Sequence, residues 1–111
     1  MSCISYEQSL SFQRPLDFVF NYLADSSNTS DWDPSVLQAT KTTPGAIDVG
    51  THFDILLKFG PKELSLDYHV TQLERPYYIE LKGMADSFSI VERMRLEGDE
   101  TQCQLNYNVS I

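Results

Sequence analysis

Few side chains in this sequence could carry acid–base chemistry in an apolar setting, and Glu92 is the foremost candidate. It shares its alternating parity with Phe88 and Ile90, so we expect its carboxyl group to point toward the apolar face of a strand. Burial would raise the pKa of such a carboxyl group unless a basic side chain pairs with it. Glu92 could therefore anchor a ligand or act as an acid–base catalyst. It could also be structural, reaching water at a strand end or pairing with a basic neighbour.

Tyrosine hydroxyls are the other polar groups expected on the apolar side. Tyr6, Tyr68 and Tyr107 fall on the apolar parity of their strands. Buried hydroxyls need partners, so these would either orient a ligand in a cavity or bond to backbone or water in a plain core. His52 and His69 fall on the opposite parity, and we expect them to face solvent, with a catalytic base as the alternative.

No motif for a metal site, an activated nucleophile or a phosphate-binding loop occurs in the sequence. It contains no CxxC, HExxH, GxSxG or GxGxxG pattern. We therefore expect neither a metal nor a cofactor.

Composition excludes several classes of partner. The 111 residues carry 8 basic and 16 acidic side chains, a net charge of −8. Nucleic-acid binding needs a basic patch, so nucleic acid is not an expected partner, and an anionic membrane surface is disfavoured. No apolar run approaches the ~20 residues that span a bilayer, and the N-terminus lacks a signal-peptide pattern. We expect a single cytoplasmic domain over residues 1–111.

Hydrophobic periodicity predicts the elements that position these side chains. Residues 2–12 alternate as a half-buried strand, and Pro15 then opens a helix. Residues 28–33 suggest a second short helix or turn. Beyond Pro34 the period becomes two and stays so through six further strands. The order is β-α-α-β-β-β-β-β-β, and short turns between successive strands favour an antiparallel, meander-like sheet.

Several segments, in order and spacing, resemble the START/Bet v 1-like (SRPBCC) superfamily, in its polyketide cyclase/dehydrase-like branch. They are RPLDFVFNYLAD (14–25), NTSDWDPSV (28–36), VGTHF (49–53) and LDYHVT (66–71), followed by Arg75-Pro76. The resemblance implies an α+β helix-grip fold, a curved antiparallel sheet of about seven strands with two short N-terminal helices. Members of the superfamily end in a long helix across the concave sheet face. Because this sequence stops at Ile111, inside its last predicted strand, we expect that helix to be absent.

The resemblance implies a cavity on the concave face that binds a small hydrophobic molecule, such as a lipid, a polyketide or an isoprenoid-like compound. One alternative is a cyclase or dehydratase-type enzyme that uses Glu92 and a pocket tyrosine. Another is an interaction module that grips a helix of a partner protein. The expected ligand-binding residues are Trp32, Phe53, Ile55, Leu57, Leu66, Tyr68, Ile79, Leu81, Phe88, Ile90, Glu92, Leu105 and Tyr107.

Three further expectations depend on the same fold. Trp32 would lie at the pocket mouth or pack the helices onto the sheet, and core packing is favoured. Cys3 and Cys103 would lie at opposite ends of neighbouring strands, more than ~20 Å apart, too far for a disulfide. The two helices are too short to cover the concave face, so we expect a homodimer or another partner to cover it.

Overall fold

The computed structural model describes residues 5–86 and 88–111, and its elements follow the predicted order. The chain forms β1 (Ser5–Phe12), α1 (Leu16–Ala24), a 3-10 turn (Ser26–Asn28), α2 (Thr29–Trp32), β2 (Val36–Lys41), β3 (His52–Phe59), β4 (Lys62–Glu74), β5 (Tyr78–Met84), β6 (Ser89–Gly98) and β7 (Cys103–Ser110).

The seven strands form one antiparallel sheet in the order β1-β7-β6-β5-β4-β3-β2. Successive strands from β2 to β7 are neighbours, and most of the connections between them are short turns. The first strand then closes onto the last, with Ser5 opposite Ser110 and Phe12 opposite Cys103. The sheet curls into a half-barrel, and the helices lie on its concave side. This arrangement confirms the predicted helix-grip fold.

Helix α1 is held on the sheet by an apolar stripe and by its ends. Leu16, Val19, Phe20 and Leu23 recur at helical spacing, and all four are buried. The Leu16 amide donates to the Asp99 carbonyl oxygen, at 2.9 Å, which ties the start of the helix to the β6–β7 turn. Through these contacts, the apolar side of α1 covers the concave face of the sheet.

Helix α1 shields most of the apolar residues on the concave face from solvent. The expectation that the two helices are too short to cover them is wrong for the middle of the sheet. Phe20 of α1 and Phe53 of β3 are both fully buried. The other predicted concave residues that are buried in this core are Ile55, Leu66, Tyr68, Ile79, Leu81, Ile90 and Leu105.

The uncovered part of the concave side lies at β1 instead. Tyr6 and Leu10 point to the same side as the core residues of β7, yet both are exposed. The expected half-buried strand is therefore largely open, because no described element packs over it. Exposed Phe18, Tyr22 and Trp32 of the helical segment lie next to this strip.

The convex face carries the polar parity of the strands. His52 and His69 face each other across β3 and β4 with their rings stacked 5.2 Å apart. His52 Nδ1 lies 2.9 Å from Asp67 Oδ1, and both of these side chains are exposed. The prediction that the histidines face away from the core is thus confirmed.

Cys103 is buried and forms no disulfide within the described part of the chain. Cys3 lies outside the described residues, so the expectation about this pair stays a prediction. Among the described helices, none has the length and hydropathy needed to cross a bilayer.

Candidate functional site

A cavity of about 150 Å³ lies between the concave face and the segment around α2. We call it the Glu92 cavity. Glu92 projects from β6, where its strand neighbours are Leu81 of β5 and Val109 of β7. The other walls of the cavity come from β2, β3, β4, β7 and the residues on either side of Trp32. The lining residues are Thr29, Asp33, Val36, Ile55, Leu57, Tyr68, Ile90, Glu92, Tyr107 and Val109.

Glu92 and Tyr107 are bonded to each other inside this cavity. The Tyr107 hydroxyl donates a hydrogen bond to the Glu92 carboxylate. Burial raises the pKa of Glu92 to about 7, Tyr107 acts in the opposite direction, and the nearby charge of Asp33 adds to the rise. Burial also raises the pKa of Tyr107, so its phenol keeps its proton. At neutral pH, Glu92 can therefore both hold and release a proton.

Tyr68 brings a second hydroxyl to the same cavity. Its side chain is 7% exposed, and burial followed by the charges of Glu92 and Asp33 raises its pKa. Within the described residues, the Tyr68 hydroxyl makes no hydrogen bond. A tyrosine hydroxyl that lines a cavity and has no protein partner is available to a ligand.

Asp33 is held at the edge of the cavity by the turn that follows α2. Its Oδ1 accepts hydrogen bonds from the backbone amide and the hydroxyl of Ser35, at 2.9 and 2.7 Å. Its Oδ2 accepts none from the described residues. One oxygen of this carboxylate therefore fixes the turn, and the other stays free.

A second, more open cavity of about 350 Å³ lies between β1 and α1, and we call it the β1 groove. Tyr107 is part of both cavities. Its ring meets Trp32 edge-on at 6.2 Å and Tyr6 at 6.4 Å. The groove is lined by Gln8, Leu10, Phe12, Arg14, Phe18, Val19, Tyr22, Leu23, Trp32, Leu105 and Tyr107.

The thirteen residues expected to bind a ligand therefore separate into three groups. Ile55, Leu57, Tyr68, Ile90, Glu92 and Tyr107 line the Glu92 cavity, while Trp32 and Leu105 join Tyr107 in the β1 groove. The remaining five line neither cavity. They belong to the closed core or pack against it, and they are Phe53, Leu66, Ile79, Leu81 and Phe88.

Trp32 departs from its favoured role. Its side chain is 38% exposed at the rim of the β1 groove, so the expectation of core packing is wrong. The helix that carries it has a single turn, which brings the indole against Tyr107 but not beneath the sheet. The pocket-mouth alternative fits this position.

Sequence reasoning missed four residues of the Glu92 cavity. Thr29 and Asp33 belong to the helical segment, where a polar residue carries no periodic signal, and Val36 and Val109 were assigned to strands without a place in the cavity. The Trp-Asp-Pro segment at 32–34 was the available clue, because its motif already located this turn near the predicted pocket.

Comparison with solved structures shows the fold. No family model matches the sequence, and no curated protein matches it. The aromatase/cyclase Zhui from Streptomyces sp. R1128 superposes with a TM-score of 0.79 at 15% identity, covering 98% of this chain and 67% of its own. A START superfamily protein from Mycobacterium smegmatis gives 0.79 at 8% identity, covering 96% and 74%. Norcoclaurine synthase from Thalictrum flavum gives 0.69 at 9% identity, covering 98% and 69%.

These similarities define the class of the protein by its architecture. The chain has the helix-grip fold of START/Bet v 1-like proteins, as its sequence motifs predicted. Identities this low carry no residue roles from one protein to another, and one fold hosts many activities. What the chain does must be argued from its own site.

Proposed function

We propose that this protein binds a small, largely apolar molecule in the Glu92 cavity. One observation carries the proposal: a carboxyl group and two tyrosine hydroxyls share a cavity whose remaining walls are largely aliphatic. Ligand sites combine apolar walls with a few polar groups that fix orientation. Glu92 and Tyr107 are joined by a hydrogen bond. Tyr68 supplies a hydroxyl that makes no hydrogen bond within the described residues.

The ligand classes implied by the sequence resemblance are lipids, polyketides and isoprenoid-like compounds. Fold neighbours named as an aromatase/cyclase and as a START superfamily protein support a ligand-binding role of this general kind. The Glu92 cavity holds only a compact group. A longer ligand would continue past Tyr107, the shared wall, into the β1 groove.

Calorimetric titration with the neutral probe 2-phenylethanol tests this proposal. We expect saturable binding that weakens about fivefold in Tyr68→Phe, because one hydrogen bond is lost. Tyr78→Phe is the matched control, since Tyr78 is buried to the same extent but its hydroxyl donates to Glu80 on the convex face. No saturable binding, or equal weakening in both variants, would contradict the proposal.

Acid–base catalysis is a second candidate, favoured by the state of Glu92. Among the described residues no basic side chain neutralises it, since Arg93, the adjacent cation, pairs with Glu80. A carboxyl group with a pKa of about 7 beside a tyrosine suits proton transfer in a cyclisation or dehydration. Deuterium exchange at the α-carbon of 2-tetralone, followed by NMR, tests this candidate. Exchange above the buffer rate that disappears in Glu92→Gln would support it, and exchange at the buffer rate would count against it.

We also propose that a second copy of the chain covers the open strip at β1. Within the described residues, β1 pairs with a strand on one side only, its register with β7 has no bulge, and Glu7 is its one charge. Edge strands without such protection pair readily with another strand. Antiparallel pairing with Gln8 opposite Gln8 sets Tyr6 against Leu10 of the other copy.

Sedimentation equilibrium tests this association. We expect a dimer that strengthens with added salt, because each copy carries a net charge of −8. Leu10→Lys should give a monomer, whereas Val49→Lys, at an exposed apolar residue away from β1, should remain dimeric. A monomer at all concentrations would contradict the proposal.

A further inference from the structure

We propose that the Glu92 cavity selects ligands that carry a protonated amine on a compact apolar body and rejects carboxylates. The inference rests on the proposed binding function and adds the charge and size of the ligand. It depends on the carboxylates of the cavity, on the unpartnered hydroxyl of Tyr68 and on the volume available.

The charges around the cavity all have one sign. Glu92 and Asp33 both line it, and no lysine, arginine or histidine does. Neither carboxylate forms an ion pair within the described residues. A carboxylate ligand would lie beside like charges in a poorly solvated space, which is unfavourable, whereas an ammonium would be attracted.

The two carboxylates of the cavity only accept hydrogen bonds, and the hydroxyls of Thr29 and Tyr68 can also accept. Glu92 accepts a hydrogen bond from the Tyr107 hydroxyl. This bond uses the proton of the hydroxyl and leaves the lone pairs of the Tyr107 oxygen available to a ligand. Asp33 has one free carboxylate oxygen. An ammonium group offers three donors and no acceptor, so it complements this set better than a hydroxyl or an amide does.

Tyr68 is the independent sign that a ligand belongs here. The residue is 7% exposed, its hydroxyl has no partner among the described residues, and it lines the same cavity. The hydroxyl faces the open space of the cavity, where a ligand group can reach it. The oxygen of Tyr68 can accept a proton of an ammonium that also contacts Glu92.

The volume limits the apolar part of the ligand. About 150 Å³ is available in the Glu92 cavity. An apolar cavity of roughly that size holds a benzene ring. We therefore expect one ring with a short chain ending in the amine.

Three probes of nearly equal shape test the selectivity: 2-phenylethylamine, 2-phenylethanol and phenylacetate. Titrations are run calorimetrically at physiological ionic strength and about pH 8, where Glu92 is ionised. We expect the amine to bind at least about fivefold more tightly than the alcohol, as charge-assisted hydrogen bonds exceed neutral ones. Phenylacetate should not bind measurably.

Two variants locate the source of the preference. Glu92→Gln should bring amine and alcohol to equal affinity, since it removes the charge that attracts the ammonium and leaves a neutral amide. Asp67→Asn removes an equal charge from the convex face, 55% exposed, and should keep the amine preference.

The outcomes separate this inference from the proposed function. Alcohol binding without an amine preference would overturn the inference and leave the proposed function standing. Tighter binding of phenylacetate, or an equal loss of preference in Asp67→Asn, would also overturn it. Failure of all three probes would overturn the proposed function and this inference together.

Discussion

The ring of Tyr68 occupies the space that a side chain on Gly83 would need. The two residues pair across β4 and β5, and a Cβ atom added to Gly83 would lie 2.8 Å from Cζ of the tyrosine. Glycine at this position therefore lets the ring lie over the neighbouring strand. This placement directs the Tyr68 hydroxyl into the Glu92 cavity.

Replacing Gly83 with alanine should displace the Tyr68 ring. We expect Gly83→Ala to lower the free energy of unfolding by about 1–3 kcal/mol, because the added methyl group overpacks a buried site. Urea unfolding measures the change. In a Tyr68→Ala background the same substitution should cost almost nothing, and an equal cost in both backgrounds would show that the ring is not what excludes a side chain.

Removing the Tyr68 hydroxyl should leave the fold intact. In Tyr68→Phe we expect stability to stay within about 0.5 kcal/mol of the parent, because the hydroxyl faces the cavity and has no protein hydrogen bond to lose. Tyr78→Phe should instead lose about 1 kcal/mol, since its hydroxyl donates to Glu80 Oε1 at 3.1 Å. Thermal or urea unfolding of both variants checks the contrast. A comparable loss in Tyr68→Phe would indicate that its hydroxyl is structurally bonded.

The carboxyl group of Glu92, which is desolvated in its cavity, should make stability depend on pH. Its pKa of about 7 in the folded protein lies above its ordinary value of 4.5. Between these values the native state keeps a proton that the unfolded chain releases, so the free energy of unfolding is highest below this window. The contribution of Glu92 to it should fall as pH rises through the window, by about 3 kcal/mol, and then level off.

Urea unfolding from about pH 4 to pH 8.5 measures this decline against variants. Glu92→Gln should flatten it and be more stable than the parent at the alkaline end. Glu80→Gln is the control, because Thr71, Tyr78 and Arg93 all stabilise that carboxylate and lower its pKa. It should lose stability at neutral pH. A decline that persists in Glu92→Gln would assign it to another group.

Trp32 should contribute less to stability than a core aromatic residue does. With 38% of its side chain exposed, Trp32→Ala should cost about 1–2 kcal/mol, against about 3–5 kcal/mol for a fully buried ring such as Phe20. Thermal unfolding of Trp32→Ala and Phe20→Ala gives the comparison. Equal losses would mean that the groove rim is as tightly packed as the core.

The order of the elements, a helix opening at Pro15 and the inward direction of Glu92 followed from local patterns, and the pairing of the first strand with the last followed from the family resemblance. Two features did not, because they depend on tertiary contacts. Tyr77 shares the parity of Ile79 and Leu81, but β5 begins one residue later, at Tyr78. Tyr78 is buried instead on the convex face, with the Arg95 guanidinium 4.6 Å from its ring centroid.

The approach of the α2 segment to the sheet was equally hidden from the sequence. Asp33 and Thr29 reach the Glu92 cavity because the α2 segment packs against β2. Hydrophobic periodicity cannot predict such a tertiary contact. A bulge between Val70 and Gln72 shifts the pairing of β4 with β5, which lets Leu73 pack against the core together with Val70. Periodicity predicts faces within a strand, but not these changes in register.

An NMR titration of ¹⁵N-labelled protein with 2-phenylethanol tests the central claim, binding in the Glu92 cavity, most directly. The largest saturable shifts in amide resonances should occur at Ile55, Tyr68 and Ile90, which line that cavity from three strands. Weaker binding in Tyr68→Phe should shift the same amides with a higher dissociation constant. Shifts confined to the β1 groove around Leu10 and Phe18, or no saturable shifts at all, would contradict the account.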